Sequence, residues 1–319
     1  MLKVLCLGEA LLDLIAFEPG KRIEEAKNFY LAPGGAVCNV AVGLARLGIK
    51  VGLITKIGTD PFGKFMLKFL KKEKVDTRLV KITDQHLTGL VLVRLDKKKN
   101  PGFFFYGAPG ADRMLSPAEI REKNFSGIKV FHFGTVSLSM EPVRSATVKA
   151  LKLAKKAKAR ISFDPNFRFH LWKNPVQLKK ITLSLAPELD LVKLNQEELK
   201  FLTGEKNLEK GAKMLLKMGT KIVLVTLGRK GAFFATEKHQ EYVPGYKFKP
   251  VDTTGAGDAF SSAIIAWLLR FPKIPPEKDE IVKALRFANA FAGLSTLRLG
   301  AIEGLLSWKR VEKFVKKNS

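Results

Sequence analysis

The chain has 319 residues, 46% of them hydrophobic, and a formal net charge of +26 from 56 Lys and Arg against 30 Asp and Glu. Apolar runs recur along the whole length, which excludes a disordered chain and provides for one large domain, or a large domain with a small appendage. The basic excess attracts anions, but the lysines are scattered as KKEK, DKKKN, KKAK and KKNS, which argues for a solvated basic surface and against a nucleic-acid partner.

The N-terminal stretch MLKVLCLGEALLDLIAF carries Glu9 and Asp13 inside its apolar run and no small-residue cleavage pattern. Lys3–Leu7 therefore reads as a first buried strand and not as a leader. Cys6 and Cys38 have apolar neighbours and belong to no CxxC or Cys/His cluster. That predicts buried, reduced thiols in a cytoplasmic protein and no thiolate metal site. The segment 13–31 lacks helical periodicity. In APGGAVCNVAVGLARLG the paired glycines Gly34 and Gly35 permit either close backbone approach to a ligand or a tight strand-to-helix turn. Val37, Val40, Ala41, Leu44 and Leu47 recur at helical spacing, Asn39 lies one turn into that helix, and Gly48 ends it.

A strand, VGLITKIG, leads into GTDPFGKF at residues 58–65, which imitates the spacing of a phosphate-binding P-loop. Phe65 has no hydroxyl for a metal ion, and Asp60 and Pro61 occupy positions where free amides are needed, so the chain is not a P-loop enzyme. Residues 88–106, TGLVLVRLDKKKNPGFFFY, have two β-rich arms around a Lys/Asn/Pro/Gly turn and read as a hairpin. With 13–31 it forms a small sheet apart from the main domain.

Downstream, the strand-like runs VFHFG, RISFDPN, LDLVKLN and KIVLVTLG alternate with helices around Val143–Lys158 and Leu208–Met218. This β-α-β rhythm predicts an α/β fold with a mostly parallel sheet covered by helices. Asp164, Asn166 and Arg168 follow a strand end, where ligands sit in such folds and where Asx turns also form. Asn195 and Glu198, three apart, suit a helix cap and equally the oxygen ligation of hydrated Mg²⁺. Thr226, Gly228 and Gly231 suit a nucleotide turn or a plain hairpin.

VDTTGAGDAF, residues 251–260, is the most chemical of these stretches. Gly255, Ala256 and Gly257 present amides at a helix start, which forms an anion site. Asp258 stands in the first turn, placed to accept a proton from an attacking hydroxyl while the amides stabilise a transferred phosphoryl group. The apolar run Ala259–Leu269 is too short to span a bilayer, and Arg270 closes it.

Taken together, PGGAVCNVAVGLARLG and DTTGAGDAF, in that order, resemble the two signatures of the ribokinase-like (PfkB) carbohydrate kinases, fructokinases most closely. The resemblance runs from GEALLDL at 8–14 to RLGAIEG at 298–304. It implies a ribokinase-like three-layer fold, with main-domain segments 1–12, 32–87 and 108–319 and a β-sheet lid from 13–31 and 88–107. It implies Asp258 as general base, Gly255, Ala256 and Gly257 as anion hole, and Arg168 on the substrate or transferred phosphate. Asp13, Gly34, Gly35, Asn39 and Tyr106 fall on the sugar side. Asn195, Thr226, Gly228, Gly231, Gly257 and Asn289 fall on the ATP side, and Asn195 with Glu198 organises Mg²⁺ through water. Asp252, Thr254, Ser295, Arg298 and Gly300 fall on loops that hold K⁺, mainly through backbone carbonyls. A homodimer through the lid is the implied assembly. Gly107 follows Tyr106 where many relatives have an arginine, so fructose, 2-keto-3-deoxygluconate, ribose and nucleosides all stay open as substrates, and Asp112 in GAD fits fructokinase.

Overall fold

A computed structural model describes residues 1–96, 101–107 and 109–318. The first strand, β1 (Val4–Leu7), is apolar and fully buried, as the opening run requires. The chain then leaves for β2 (Leu11–Ala16) and β3 (Phe29–Gly34) before returning through α1 (Ala36–Arg46) to β4 (Val51–Gly58). Helix α1 buries Val37, Val40, Ala41 and Leu44, and Gly48 follows its C-terminus at φ 83°. Next come α2 (Pro61–Lys72), β5 (Val80–Thr83), β6 (Leu90–Leu95) and β7 (Pro101–Tyr106).

The imitation P-loop resolves here. Asp60 caps α2, accepting the Phe62 and Gly63 N–H groups, so the amides a phosphate would need are already taken. Asp60 also accepts from the Thr88 N–H and hydroxyl, tying the start of α2 to the approach to β6.

The second half of the chain alternates as its pattern predicts. β8 (Val130–Gly134), α3 (Val143–Lys156), β9 (Arg160–Asp164) and α4 (Pro175–Ser184) lead to β10 (Leu191–Asn195), α5 (Gln196–Thr203) and α6 (Leu208–Lys217). β11 (Ile222–Thr226), β12 (Gly231–Ala235) and β13 (Gln240–Pro244) form the antiparallel end of the sheet. α7 (Ala256–Leu268), α8 (Lys278–Ser295) and α9 (Trp308–Lys317) complete the chain.

Nine described strands form the main sheet in the order β13-β12-β11-β10-β9-β8-β1-β4-β5, parallel from β11 to β5. Helices α1, α7 and α8 supply much of one core layer, while α3 and residues of α5 and α6 supply the other. Both faces of the strands are therefore buried, which is why they read as continuous apolar runs. α7 is apolar around its circumference because it packs between α1 and α8 over the sheet.

The small sheet runs β3-β2-β6-β7, with β2 and β6 parallel and the outer pairs antiparallel. Its pairing reaches Leu11 and Gly34, past the 13–31 segment. The hairpin expected at 88–106 has its two arms in register from Leu90↔Tyr106 to Leu95↔Pro101, and its expected turn at 97–100 lies outside the described residues. One face of this sheet buries Leu11, Ile15, Val91 and Val93 toward the main domain, with Leu299 against them. Among the described residues no helix is long and apolar enough to cross a membrane.

Replacing Asp60 with Ala should cost about 1–2 kcal/mol, the usual penalty for a lost helix cap, with the Thr88 tether removed as well. Urea unfolding followed by far-UV circular dichroism measures it. An unchanged midpoint would show that the cap contributes nothing.

Candidate active site

Parallel strands leave ligand-binding residues at their C-terminal ends. Here the ends of β1, β9, β10 and β11 deliver Glu9, Asn166, Asn195 and Thr226 to one cavity of about 390 Å³. The start of α7 supplies Gly255, Gly257 and Asp258, and α1 supplies Asn39. The small sheet closes the far wall with Leu11, Asp13, Val91, Phe103 and Phe105. A second cavity of about 250 Å³ adjoins the first, sharing Thr226, Gly228, Thr253 and Gly257 with it. Its walls add Gly231, Tyr246, Phe248, Phe260 and Asn289, so aromatic rings form part of them.

Asp258 lines the first cavity, next in the chain to Gly257, which lines both. Its carboxylate is buried and held from both sides: Asn39 Nδ2 donates to Oδ2 at 2.8 Å, and Asn166 Nδ2 donates to Oδ1 at 3.2 Å. Burial pushes its pKa up to about 6; the Asn39 hydrogen bond pulls it back, and the nearby Asp164 carboxylate adds to the rise. Gly255, in the left-handed region at φ 74°, turns the chain into α7 in a conformation that a side chain would strain. The Ala256 N–H bends back to the Thr253 carbonyl at 3.2 Å, so of the three expected anion-hole amides this one already has an acceptor. The remaining first-turn N–H groups lack intrahelical carbonyls, as at any helix start.

Asp13 lies 5% exposed on β2 with Gly34 packed against its carboxylate. Burial lifts its pKa to about 7, Arg168 opposes the rise, and Asp258 adds to it. Burial likewise lifts Glu9 to about 7. Glu9 Oε1 accepts the Ala36 N–H at the start of α1, and its Oε2 has no partner among the described residues. Arg168 lies over the Phe103 ring at 4.5 Å and donates to Asn166 Oδ1 at 2.6 Å, which orients the amide that holds Asp258.

Asn195 and Glu198 form a reciprocal helix cap. The Glu198 N–H donates to Asn195 Oδ1 and the Asn195 N–H to Glu198 Oε2, both at 2.8 Å. The other oxygen of Glu198 accepts the Phe167 N–H at 3.0 Å, and burial raises its pKa. Both residues still line the first cavity, so the cap and an open edge of the carboxylate coexist. Thr226, Gly228 and Gly231 likewise serve a plain hairpin between β11 and β12 and line the second cavity at once. Asn289 lines that cavity and donates to the Val243 and Pro244 carbonyls of β13.

The fully buried Asp252 joins the last expected loops. Its Oδ1 accepts from the Thr254 N–H and hydroxyl, and its Oδ2 accepts the Gly300 N–H at 2.8 Å. Ser295 is buried beside these loops, whereas Arg298 is exposed.

Tyr106, expected on the sugar side, lies apart from the first cavity. It is 61% exposed and lies on the far face of the small sheet with Leu92, Arg94 and Phe104. Side chains alternate along a strand, so Phe103 and Phe105 take the cavity face of β7 and leave Phe104 and Tyr106 outside. Sequence reasoning also left Lys193, Glu9 and these two phenylalanines without a role. A lysine in the otherwise apolar LDLVKLN was the available signal for the first. Lys193 donates to Asp164 Oδ2 at 2.9 Å; burial pulls its pKa down, but Asp164, Glu198 and Asp258 outweigh this and hold the ammonium above the ordinary lysine value.

Residues 1–308 match the family described as pfkB family carbohydrate kinase. The chain belongs to that family. It is an ATP-dependent sugar kinase by class. It is 37% identical over 303 residues to a probable fructokinase-2 of Arabidopsis thaliana, covering 95% of this chain and 92% of the relative. Among solved structures, a fructokinase of Vibrio cholerae O395 in a fructose-, ADP- and calcium-bound form superposes with a TM-score of 0.88 at 33% identity, covering 98% and 99% of the two chains. An uncharacterized sugar kinase from Pyrococcus horikoshii gives 0.84 at 34% identity, covering 97% and 96%. Its fold is thus ribokinase-like.

The two faces of β7 give opposite expectations for this kinase. Phe105→Ala should raise the sugar KM by about ten-fold through lost ring contact, while Tyr106→Ala should leave it within about two-fold. Steady-state kinetics on both variants would show the reverse order if Tyr106 faces the sugar.

Proposed function

We propose that this kinase transfers the γ-phosphoryl group of ATP to a hydroxyl of fructose, with Asp258 as the general base. The observation that carries this is the position of Asp258: a buried carboxylate on the wall of a polar cavity, clamped by Asn39 and Asn166, and next in the chain to Gly257, which that cavity shares with a second, aromatic one. The polar cavity fits a sugar, because Asp13, Glu9, Asn39 and Arg168 offer acceptors and donors for several hydroxyls. The second fits a nucleotide base, with Tyr246 and Phe248 as flat surfaces. Fructose is favoured by the fructokinases among the relatives.

In this reading Asp258 takes the proton of the attacking hydroxyl, and the amides at Gly255 and Gly257 meet the charge on the transferred group. Phe103 and Phe105, with the small sheet as a lid, keep out water that would compete as nucleophile. No group of three or more His, Cys, Asp or Glu among the described residues forms a metal cage. Asn195 and Glu198, already committed to backbone N–H groups, therefore suit a hydrated Mg²⁺ held through water and phosphates. When bound, that ion neutralises phosphate charge. Buried Asp252, without an ion-pair partner among the described residues, suits a K⁺ ion between its loop and that of Ser295, Arg298 and Gly300. Free, buried Cys6 and Cys38 support a cytoplasmic setting. Exposed Phe104 and Tyr106 on the outer face of the small sheet support a homodimer through the lid. Surface lysines spread over many separate ion pairs give nucleic acid little support as a partner.

The decisive experiment is a coupled ADP-release assay on fructose, 2-keto-3-deoxygluconate, ribose and nucleosides, with and without K⁺. Fructose should give the highest kcat/KM, and turnover confined to another acceptor would overturn the fructose reading. Asp258→Ala should lower kcat by about 10³- to 10⁴-fold while ATP still binds; near-normal turnover would remove Asp258 as the base.

The pH profile adds a second check. Asp258 must be ionised to accept a proton, so kcat/KM should rise with pH through about 6 and level off above it. Asn39 stabilises the ionised form, so Asn39→Ala should move that acid limb upward by about one pH unit. An unmoved limb would mean that another group controls the profile.

A further inference from the structure

One charged side chain lining the first cavity has no part in the mechanism above. Lys193 is the third residue of β10, among Leu191, Val192 and Leu194, and its side chain is 7% exposed. It donates to Asp164 Oδ2 at 2.9 Å, and the same oxygen accepts the Ser261 hydroxyl at 2.8 Å. Ser261 lies three residues after Asp258 on α7, so β9, β10 and the second turn of α7 are joined through one carboxylate. Asp164 is the hydrogen-bond acceptor of the ammonium among the described residues, which leaves two of its three N–H bonds for the cavity it lines.

The start of α7 is shaped around that ammonium. A methyl group on Gly257 would stand 2.9 Å from Lys193 Nζ, so the lysine occupies the space a side chain would need. Gly257 lines both cavities, and its N–H belongs to the first turn of the helix, where anions are favoured. A buried ion pair is a poor source of stability compared with apolar residues of similar size. A lysine at this position in an apolar strand therefore calls for a partner that arrives with negative charge.

We propose that Lys193 contacts the phosphoryl group during its transfer, beside the Gly257 amide, with Asp164 and Ser261 holding the ammonium in place. This rests on the kinase chemistry proposed above. The hydroxyl oxygen bonds to the γ-phosphorus, and the bond from that phosphorus to the β–γ bridging oxygen breaks. Its electron pair leaves with ADP, and the hydroxyl proton passes to Asp258. Lys193 keeps its protons throughout and offsets charge on the oxygens of the moving group.

The alternative is a purely structural ion pair, and a set of variants separates the two. Lys193→Met should lower kcat by about 10²- to 10³-fold, as expected for a lost charge-stabilising donor. Asp164→Asn keeps the ammonium and should lose less. The double variant Lys193→Met/Asp164→Asn removes the unpaired buried charge, so it should regain the urea midpoint lost by Lys193→Met but not its kcat. By calorimetry, Lys193→Met should weaken a non-hydrolysable ATP analogue about ten-fold more than ADP. Recovery of kcat in the double variant, or a loss in Asp164→Asn equal to that in Lys193→Met, would overturn the proposal. If the wild-type protein phosphorylates no sugar, the kinase reading fails separately, and calorimetry still decides Lys193. A loss specific to the ATP analogue keeps the proposal, and equal effects on the analogue and ADP, or no binding of either, remove it.

Discussion

Keeping the carboxylate of Asp258 out of water at the first turn of α7 is the constraint on which the rest of the structure depends. A buried charge needs donors, and it receives them from Asn39 on α1 and Asn166 beyond β9. Asn39 reaches it because α1 packs closely on α7, where the Ser262 hydroxyl donates to the Val40 carbonyl one turn further along. Helix packing and site geometry are thus the same fact seen at two scales. A looser α1–α7 contact would both open the core and release the carboxylate.

The same economy of charge extends around the cavity. Glu9 and Asp13 are buried like Asp258, and burial raises each pKa toward neutrality. Arg168 and Lys193 are the cations set among the site's carboxylates. Such a concentration of shifted groups in one cleft marks a place built for chemistry or ligand binding rather than for stability. The +26 net charge of the chain resides largely elsewhere, on exposed lysines that balance a few surface carboxylates.

The small sheet shows how a pattern of two-residue alternation becomes function. Its inner face gives Leu11 and Asp13 from β2, Val91 from β6, and Phe103 and Phe105 from β7 to the cavity. Its outer face carries Phe104 and Tyr106. Nothing in FFFY states which parity faces the cavity; the pairing of β7 with β6 and the packing of the whole sheet on Leu299 put Phe103 and Phe105 there and Tyr106 outside.

By itself the sequence determined the order of elements, the continuous apolar strands of a parallel sheet, the rejection of the P-loop at 58–65 and the glycine-marked start of α7. These are local properties, set by periodicity, capping and backbone freedom within a few residues. The two signatures that resemble the carbohydrate kinases were legible for the same reason, since each is a contiguous run. Only the tertiary structure decided that Asn39, 219 positions from Asp258, donates to it, and that the Asn195–Glu198 pair is a cap that also faces the cavity. It alone joined Asp252 to Gly300 and aimed Lys193 at Gly257. These contacts join segments far apart in the chain, and their distances and burial arise from the packing of helices and sheets that no local pattern encodes.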